Sequence, residues 1–136
     1  MIINENNIEK ALNYFESLDD TKYESTVDKL LEEQAYLSTF VQQNLDNIFD
    51  EENKITDFSY NLYFTVLYMF KSKNSDKYKI VDDKILNSIL KKEEFEHKQE
   101  ELGDFIYTQF VESEFPKDDF LKVIGLLSVV IICLDY

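Results

Sequence analysis

The sequence predicts an all-α protein, a compact bundle of about six to seven helices in a single domain. Its 136 residues include only two glycines and one proline, whereas an all-β domain of this size needs many turns and more of both residues. Apolar residues recur at helical spacing along most of the chain. The last apolar stretch, residues 123–134, has no charged side chain, so other helices must cover it.

The stretch 123–134 is too short for a membrane span, because a bilayer core needs about 20 apolar residues. Its β-branched residues also allow a strand, and periodicity alone does not decide. A comparison with residues 57–70 favours a helix. Apolar positions coincide when this earlier segment is placed over 119–132, and the earlier segment follows a helix start signal at Thr56. Both segments are therefore predicted to be mostly buried helices.

Capping residues and amphipathic stripes predict the remaining helices. The predicted N-caps are Asn6, Thr21, Thr56, Asp82 or Asp83, and Asp118. The predicted helices are about Asn7 to Leu18, a second with Val27 and Leu30 on its stripe, about Ala35 to Phe49, one from Thr56 to about Ser72, a short one with Ile85 and Ile89, a longer one with Leu102 and Phe110, and the final helix. The third helix is either separate from the second or continues it through a kink.

The chain also contains a pattern that predicts an internal repeat of two helical hairpins, 35–72 and 98–134. Apolar residues match at a fixed offset of 65 in the pairs Leu37/Leu102, Phe40/Phe105, Val41/Ile106 and Leu45/Phe110. Two such hairpins could pack as a pseudo-symmetric four-helix core with the short helices beside it. The alternative is chance, since any two amphipathic helices can be placed in register.

The composition is strongly acidic, with a net charge of −14, a pI of about 4.3, and lysine as the only basic residue besides one histidine. Such a surface repels a nucleic-acid backbone, and arginine, the usual bidentate phosphate ligand, is missing. The charge instead suits a basic partner, or serves only solubility. Residues 1–5 lack the features of a signal peptide, so we expect a cytoplasmic protein without membrane attachment.

One short segment resembles a known group of proteins. The residues Glu32-Glu33-Gln34-Ala35-Tyr36-Leu37 follow a helix start with Asp19, Asp20, Thr21 and Tyr23. This arrangement resembles small all-helical bacterial proteins of uncharacterised function, although Ala35 stands where a proline is expected. The resemblance covers about the first half of the chain, and it implies no activity.

The residues do not form a recognisable catalytic or metal-binding motif, and we expect neither an enzyme nor a cofactor. Glu94 and His97 have the Glu-x-x-His spacing of di-iron bundles, but His97 is the only histidine and the second motif cannot exist. Cys133 lies in the apolar stretch, where a thiol is inert. Gly103 and Gly125 are isolated within helices, so their expected role is close helix approach rather than phosphate binding.

The most consistent function is a non-enzymatic acidic module that binds a protein, such as an immunity protein, an antitoxin or an inhibitor of a basic partner. The alternative is a self-associating structural or scaffolding domain, with a homodimer covering the C-terminal helix. Tyrosine and carboxylate side chains would anchor a basic partner, unless the tyrosines only line the edge of the core. The predicted partner-binding residues are Glu51, Glu52, Tyr60, Tyr63, Glu100, Glu101 and Tyr107.

Overall fold

The structure is a computed structural model, and it describes residues 2–50, 53–75, 77–92 and 96–135. These residues form seven helices and no strand, which confirms the predicted all-α bundle. The helices are α1 (Glu5–Ser17), α2 (Asp20–Glu33), α3 (Ala35–Ile48), α4 (Lys54–Lys73), α5 (Asp83–Leu90), α6 (Glu100–Glu112) and α7 (Lys117–Asp135). Within the described ranges, no helix has both the length and the apolar character that crossing a membrane requires.

The apolar C-terminal stretch forms most of α7, which contacts α3, α4, α5 and α6. Nine residues of α7 are buried, so the prediction of a buried helix is confirmed and the strand alternative is wrong. The second central helix is α4, which buries ten residues and contacts α1, α2 and α7. The surface that α7 must hide is therefore covered within one chain.

Two helices of the first half begin earlier than predicted, because a different side chain caps each of them. Asn4, rather than Asn6, caps α1, and its side chain accepts a hydrogen bond from the Asn7 N–H at 3.0 Å. The Asn7 side chain accepts from the Asn4 N–H at 3.0 Å, which completes a capping box. Asp19, rather than Thr21, caps α2 by accepting from the Lys22 N–H at 2.8 Å.

The later caps are partly as predicted. Asn53 caps α4, so the predicted cap Thr56 lies inside the helix, where it is buried. Asp82 caps α5, as one of the two predicted alternatives, and accepts from the Ile85 N–H at 2.9 Å. Asp118 lies in the first turn of α7 instead of capping it. Several polar residues precede each apolar stripe, and the stripe alone does not select among them.

The positions of the two hairpins correspond in burial. Residues 65 apart in α3 and α6 are buried together, including Leu37 with Leu102 and Leu45 with Phe110. In α4 and α7 the burial patterns coincide at an offset of 64, not at the predicted 62. The pairs are Thr56/Phe120, Ser59/Val123, Leu62/Leu126, Tyr63/Leu127, Val66/Val130, Leu67/Ile131, Met69/Cys133 and Phe70/Leu134. These correspondences support an internal repeat, which stays a prediction.

The two glycines do not serve the close helix approach that their positions suggested. Gly125 is exposed, and a Cβ atom built there would meet no heavy atom within 4 Å. A Cβ atom at Gly103 would lie 3.2 Å from Cε1 of His97. Gly103 therefore leaves room for a histidine ring instead of a neighbouring helix backbone.

Candidate functional site: two equivalent grooves of different charge

Two buried glutamines, Gln34 and Gln99, hold the flanking helices α5 and α1 against the two hairpins. Gln34 lies between α2 and α3, where its backbone angles of −116° and 52° separate the two helices. Its side chain is completely buried. The Oε1 atom accepts a hydrogen bond from the Val81 N–H at 3.0 Å, and Nε2 donates to the Lys79 carbonyl at 2.5 Å. One carboxamide therefore holds the extended segment before α5 against the start of α3.

Gln99, 65 residues later, makes a contact that corresponds to the one between Gln34 and Val81. It precedes α6 as Gln34 precedes α3, and it is also completely buried. Its Oε1 atom accepts a hydrogen bond from the Ile3 N–H at 2.8 Å, and its Nε2 atom donates to Oδ2 of Asp135 at 3.0 Å. The extended segment before α1 is thus held against the start of α6.

A groove lies beside each of the two flanking helices that these glutamines hold, α1 and α5. The α1–α6 groove has a volume of about 520 Å³, and the α3–α5 groove has a volume of about 470 Å³. The α1–α6 groove is lined by Glu5, Ile8, Glu9, Leu12, Glu101, Asp104, Phe105 and Thr108. The α3–α5 groove is lined by Ala35, Tyr36, Thr39, Phe40, Gln43, Asp83, Leu86, Asn87 and Leu90.

Apart from Ala35, which only the α3–α5 groove has, the linings correspond position by position, so the grooves are two versions of one site. Residues of α1 correspond to residues of α5 at an offset of 78, and residues of α6 correspond to residues of α3 at an offset of 65. The equivalent pairs are Glu5/Asp83, Ile8/Leu86, Glu9/Asn87, Leu12/Leu90, Glu101/Tyr36, Asp104/Thr39, Phe105/Phe40 and Thr108/Gln43. The apolar floor is shared, whereas the rim changes from four carboxylates to one.

The rim of the α1–α6 groove carries more negative charge than helix capping requires. Glu5 and Glu101 lie in first turns, where an acid stabilises the helix dipole. Glu101 also accepts a hydrogen bond from the Glu5 N–H at 2.5 Å. Glu9 and Asp104 lie one turn further on, beyond the reach of that effect. No lysine lines the groove, so its four carboxylates generate a negative potential that favours a cationic ligand.

Among the predicted partner-binding residues that the structure describes, only one lines this groove. Glu101 is on its rim, while Glu100 and Tyr107 lie seven residues apart on another face of α6. Tyr107 is 43% exposed, and its ring packs edge-on against Phe120 with centroids 5.7 Å apart. The predicted residues Glu51 and Glu52 lie outside the described residues.

The two tyrosines of α4 belong to the core and its edge, so the expected surface position of Tyr63 is wrong. Tyr63 is completely buried, and its hydroxyl forms a hydrogen bond with Ser38 Oγ at 2.8 Å. Burial raises the pKa of this hydroxyl, and the bond to Ser38 opposes part of that rise. Tyr60 is half-buried against Tyr63 and Phe64. Burial, together with the charge of Asp46, raises the pKa of Tyr60 to about 12.

The segment Glu32-Glu33-Gln34 contacts the connector between α4 and α5, which contains Lys77 and Lys79. Lys71 forms an ion pair with Glu33 at 2.8 Å, and the Tyr78 hydroxyl donates to the same carboxylate at 3.2 Å. Gln34 binds the backbone of residues 79–81 beside them. Lys71 and Lys73 lie in the last turn of α4, where they also complement its dipole. The turn between α2 and α3 therefore holds the connector in place.

The residues considered for chemistry are placed as follows. Glu94 lies outside the described residues, and the His97 ring packs beside Gly103, where its Nδ1 accepts from the Gln99 N–H at 3.1 Å. Burial lowers the pKa of His97, while Asp135 opposes that change. Cys133 is buried, and burial raises its pKa to about 11. Within the ranges the structure describes, no three His, Cys, Asp or Glu side chains are grouped to hold a metal ion.

Sequence reasoning missed Glu5, Glu9 and Asp104. Both walls follow the spacing i, i+3, i+4, i+7, as in Glu5-Ile8-Glu9-Leu12. This mixture of acidic and apolar residues on one helix face was visible in the sequence. The missing information was that α1 and α6 are neighbours, which depends on the buried hydrogen bond between Gln99 and Ile3.

Comparisons with known proteins add no further constraint. No family model, curated protein or solved structure matches this chain. The geometry and charge of the site are therefore the guide to function.

Proposed function

We propose that this protein is a non-enzymatic acidic module that binds a basic protein, in the manner of an immunity protein, an antitoxin or an inhibitor. The observation that carries the proposal is the α1–α6 groove, where four carboxylates surround an apolar floor. An apolar centre inside a charged rim is the usual anatomy of a protein-binding surface. The net charge of −14 extends the same potential over the rest of the molecule, which accelerates encounter with a cationic partner.

The alternative of self-association has less support. Its motivation was the need to cover the apolar C-terminal helix, and that helix is covered by α3, α4, α5 and α6 of the same chain. A second copy would also bring another acidic surface towards the first, and like charges at an interface oppose association.

The test is affinity capture from an extract of the source cells, with washes at low and then high salt and identification by mass spectrometry. We expect one basic protein to be retained at low salt and released at high salt, because exposed charge pairs are screened. Recovery of the bait alone at both salt concentrations would contradict the proposal and favour self-association.

The matched bait variants separate a specific site from general charge. Glu9→Gln with Asp104→Asn removes two charges from the groove, and Glu24→Gln with Asp28→Asn removes two from an exposed face of α2. That face is lined by Thr21, Glu24, Ser25, Asp28, Lys29 and Glu32 and has no apolar floor. We expect reduced capture only with the groove variant.

A further inference from the structure

We infer that the α1–α6 groove binds an amphipathic α-helix of the partner, whose apolar stripe lies on Ile8, Leu12 and Phe105 and whose lysine or arginine side chains pair with the rim carboxylates. This inference rests on the proposed function and specifies the element of the partner that is recognised. It is argued from the apolar floor, the length of the walls and the complementarity of charge.

The floor of the groove is apolar and partly accessible, since Ile8 at its base is buried with 7% of its surface exposed. Leu12 is 36% exposed although it belongs to the apolar face of α1, and Phe105 is partly buried beside it. The counterpart of Leu12 in the α3–α5 groove is Leu90, which is 39% exposed. A partner side chain that covers Leu12 would remove apolar surface from water, at about 25 cal/mol per Å² buried.

The walls have the dimensions of two helical turns. Glu5 to Leu12 on α1 and Glu101 to Thr108 on α6 each span eight residues, and the seven steps between the ends correspond to about 10 Å at 1.5 Å per residue. A groove between two helices accepts a third helix through anchors spaced i, i+3, i+4 and i+7. About two turns of the partner would therefore contact the floor.

The charge selects the occupant. Exposed Glu9 on one wall and exposed Asp104 on the other lie beside the floor, and neither has an ion-pair partner among the described residues. Cations on both flanks of an apolar stripe would meet carboxylates on both sides. The α3–α5 groove has the same frame but carries Asn87 and Thr39 at these positions, so it lacks the attraction and serves as an internal control.

The experiment titrates the nitrogen-labelled protein with a synthetic amphipathic peptide and follows backbone amide shifts by NMR. The peptide has about 18 residues, since shorter isolated helices are marginal. It carries leucines at i, i+3, i+4 and i+7 with lysines on both flanks. Three probes serve as controls: the same peptide with glutamine for lysine, a scrambled peptide of equal charge, and spermine.

The expected result is a set of shifts around Ile8, Leu12 and Phe105. Binding should weaken about tenfold for Glu9→Gln with Asp104→Asn at low salt, as expected for losing two exposed charge pairs. The control pair Glu24→Gln with Asp28→Asn should bind like the wild type. Leu12→Ala should weaken binding at every salt concentration, because it removes apolar contact surface from the groove and changes no charge.

Several results would overturn the inference. Equal binding of the scrambled peptide or of spermine would show an unspecific cation surface. Shifts centred on the α3–α5 groove, or equal binding by the Glu9 and Asp104 variant, would place the helix elsewhere. If the extract yields a basic partner that is captured equally well by the wild type and by the Glu9→Gln and Asp104→Asn variant, the groove assignment fails while the proposed function stands. If the peptide binds as expected but no basic protein is captured, the proposed function fails instead.

Discussion

Gln34 and Gln99 occupy equivalent positions 65 residues apart, and each binds the backbone of a segment that belongs to the other half of the chain. Gln34 accepts from Val81 at 3.0 Å, and Gln99 accepts from Ile3 at 2.8 Å. Both side chains are completely buried. The first half of the chain therefore positions α5 through Gln34, and the second half positions α1 through Gln99.

Gln99→Ala and Gln34→Ala should each destabilise the fold by about 2 to 3 kcal/mol, because each removes the oxygen that accepts from a buried backbone N–H, that of Ile3 or that of Val81. Urea unfolding followed by circular dichroism measures this change. The exposed Gln42→Ala is the control and should stay within about 0.5 kcal/mol of the wild type. Losses as small as that of Gln42→Ala would show that the two glutamines do not hold the two halves together.

Two buried serines should respond to alanine with opposite signs. Ser38→Ala removes the hydrogen bond to Tyr63 and leaves the phenol unpaired, which should cost about 1 to 3 kcal/mol. The Ser59 hydroxyl is buried and has no hydrogen-bond partner among the described residues. Ser59→Ala should therefore stabilise the protein, by up to about 1 kcal/mol. Thermal unfolding of the two variants should show shifts in opposite directions, and a loss at Ser59 would indicate that its hydroxyl is paired.

The two glycines should also differ on substitution by alanine. Gly125→Ala lies in a helix with open space around the new methyl group, so it should stabilise the protein by about 0.5 to 1 kcal/mol through helix propensity. Gly103→Ala places its methyl group 3.2 Å from the His97 ring, so that contact should remove most of the same gain. Chemical denaturation of both variants tests the difference, and a larger gain at Gly103 would contradict the packing of His97.

The protein should lose stability at alkaline pH. The pKa of Cys133 is raised from 9.0 to about 11 by burial, and burial also raises the pKa of Tyr63. The unfolded chain loses these protons first, so stability is intact below about pH 9 and falls as pH rises through the folded pKa values. The thiol alone should contribute a loss of about 2 to 3 kcal/mol.

Urea unfolding as a function of pH measures this loss, and tyrosinate absorbance follows the phenols. Reaction of Cys133 with a thiol reagent provides a second reading, because the native thiol should react only after the protein opens. Constant stability from pH 9 to about 11, or rapid reaction of the native thiol, would contradict the buried positions of these groups.

The fold could be predicted because helical periodicity is a local signal. The amphipathic stripes and the long apolar stretch of α7 define the elements without reference to tertiary contacts. Helix starts were less accessible, since Asn4 and Asn6 are both competent caps and only the capping box with Asn7 selects between them. The sequence offset that relates α4 to α7 in the predicted repeat was also wrong, because apolar residues on such buried helices coincide at more than one offset.

Most residues of the candidate site could not be predicted from the sequence. Glu101 is predicted to be a partner-binding residue, but the residues across the groove from it belong to α1, near the other end of the chain. Tyr63 is among the tyrosines predicted to be surface anchors because they lie among acids or off the main apolar stripes, and the sequence does not reveal the buried hydroxyl of Ser38 that satisfies its phenol. Non-local hydrogen bonds decide both positions.

The central claim is that the carboxylates of the α1–α6 groove attract and hold a basic partner. Its most direct test is the association rate of the captured partner as a function of ionic strength. The wild type is compared with Glu9→Lys plus Asp104→Lys and with Glu24→Lys plus Asp28→Lys on the exposed face of α2, two variants with equal changes in net charge.

We predict that the wild-type rate falls steeply with added salt and that groove reversal slows association at least about tenfold at low salt. Reversal on α2 should have a much smaller effect. Equal slowing by both variants would reduce the effect to overall charge, and an unchanged rate in the groove variant would contradict the account.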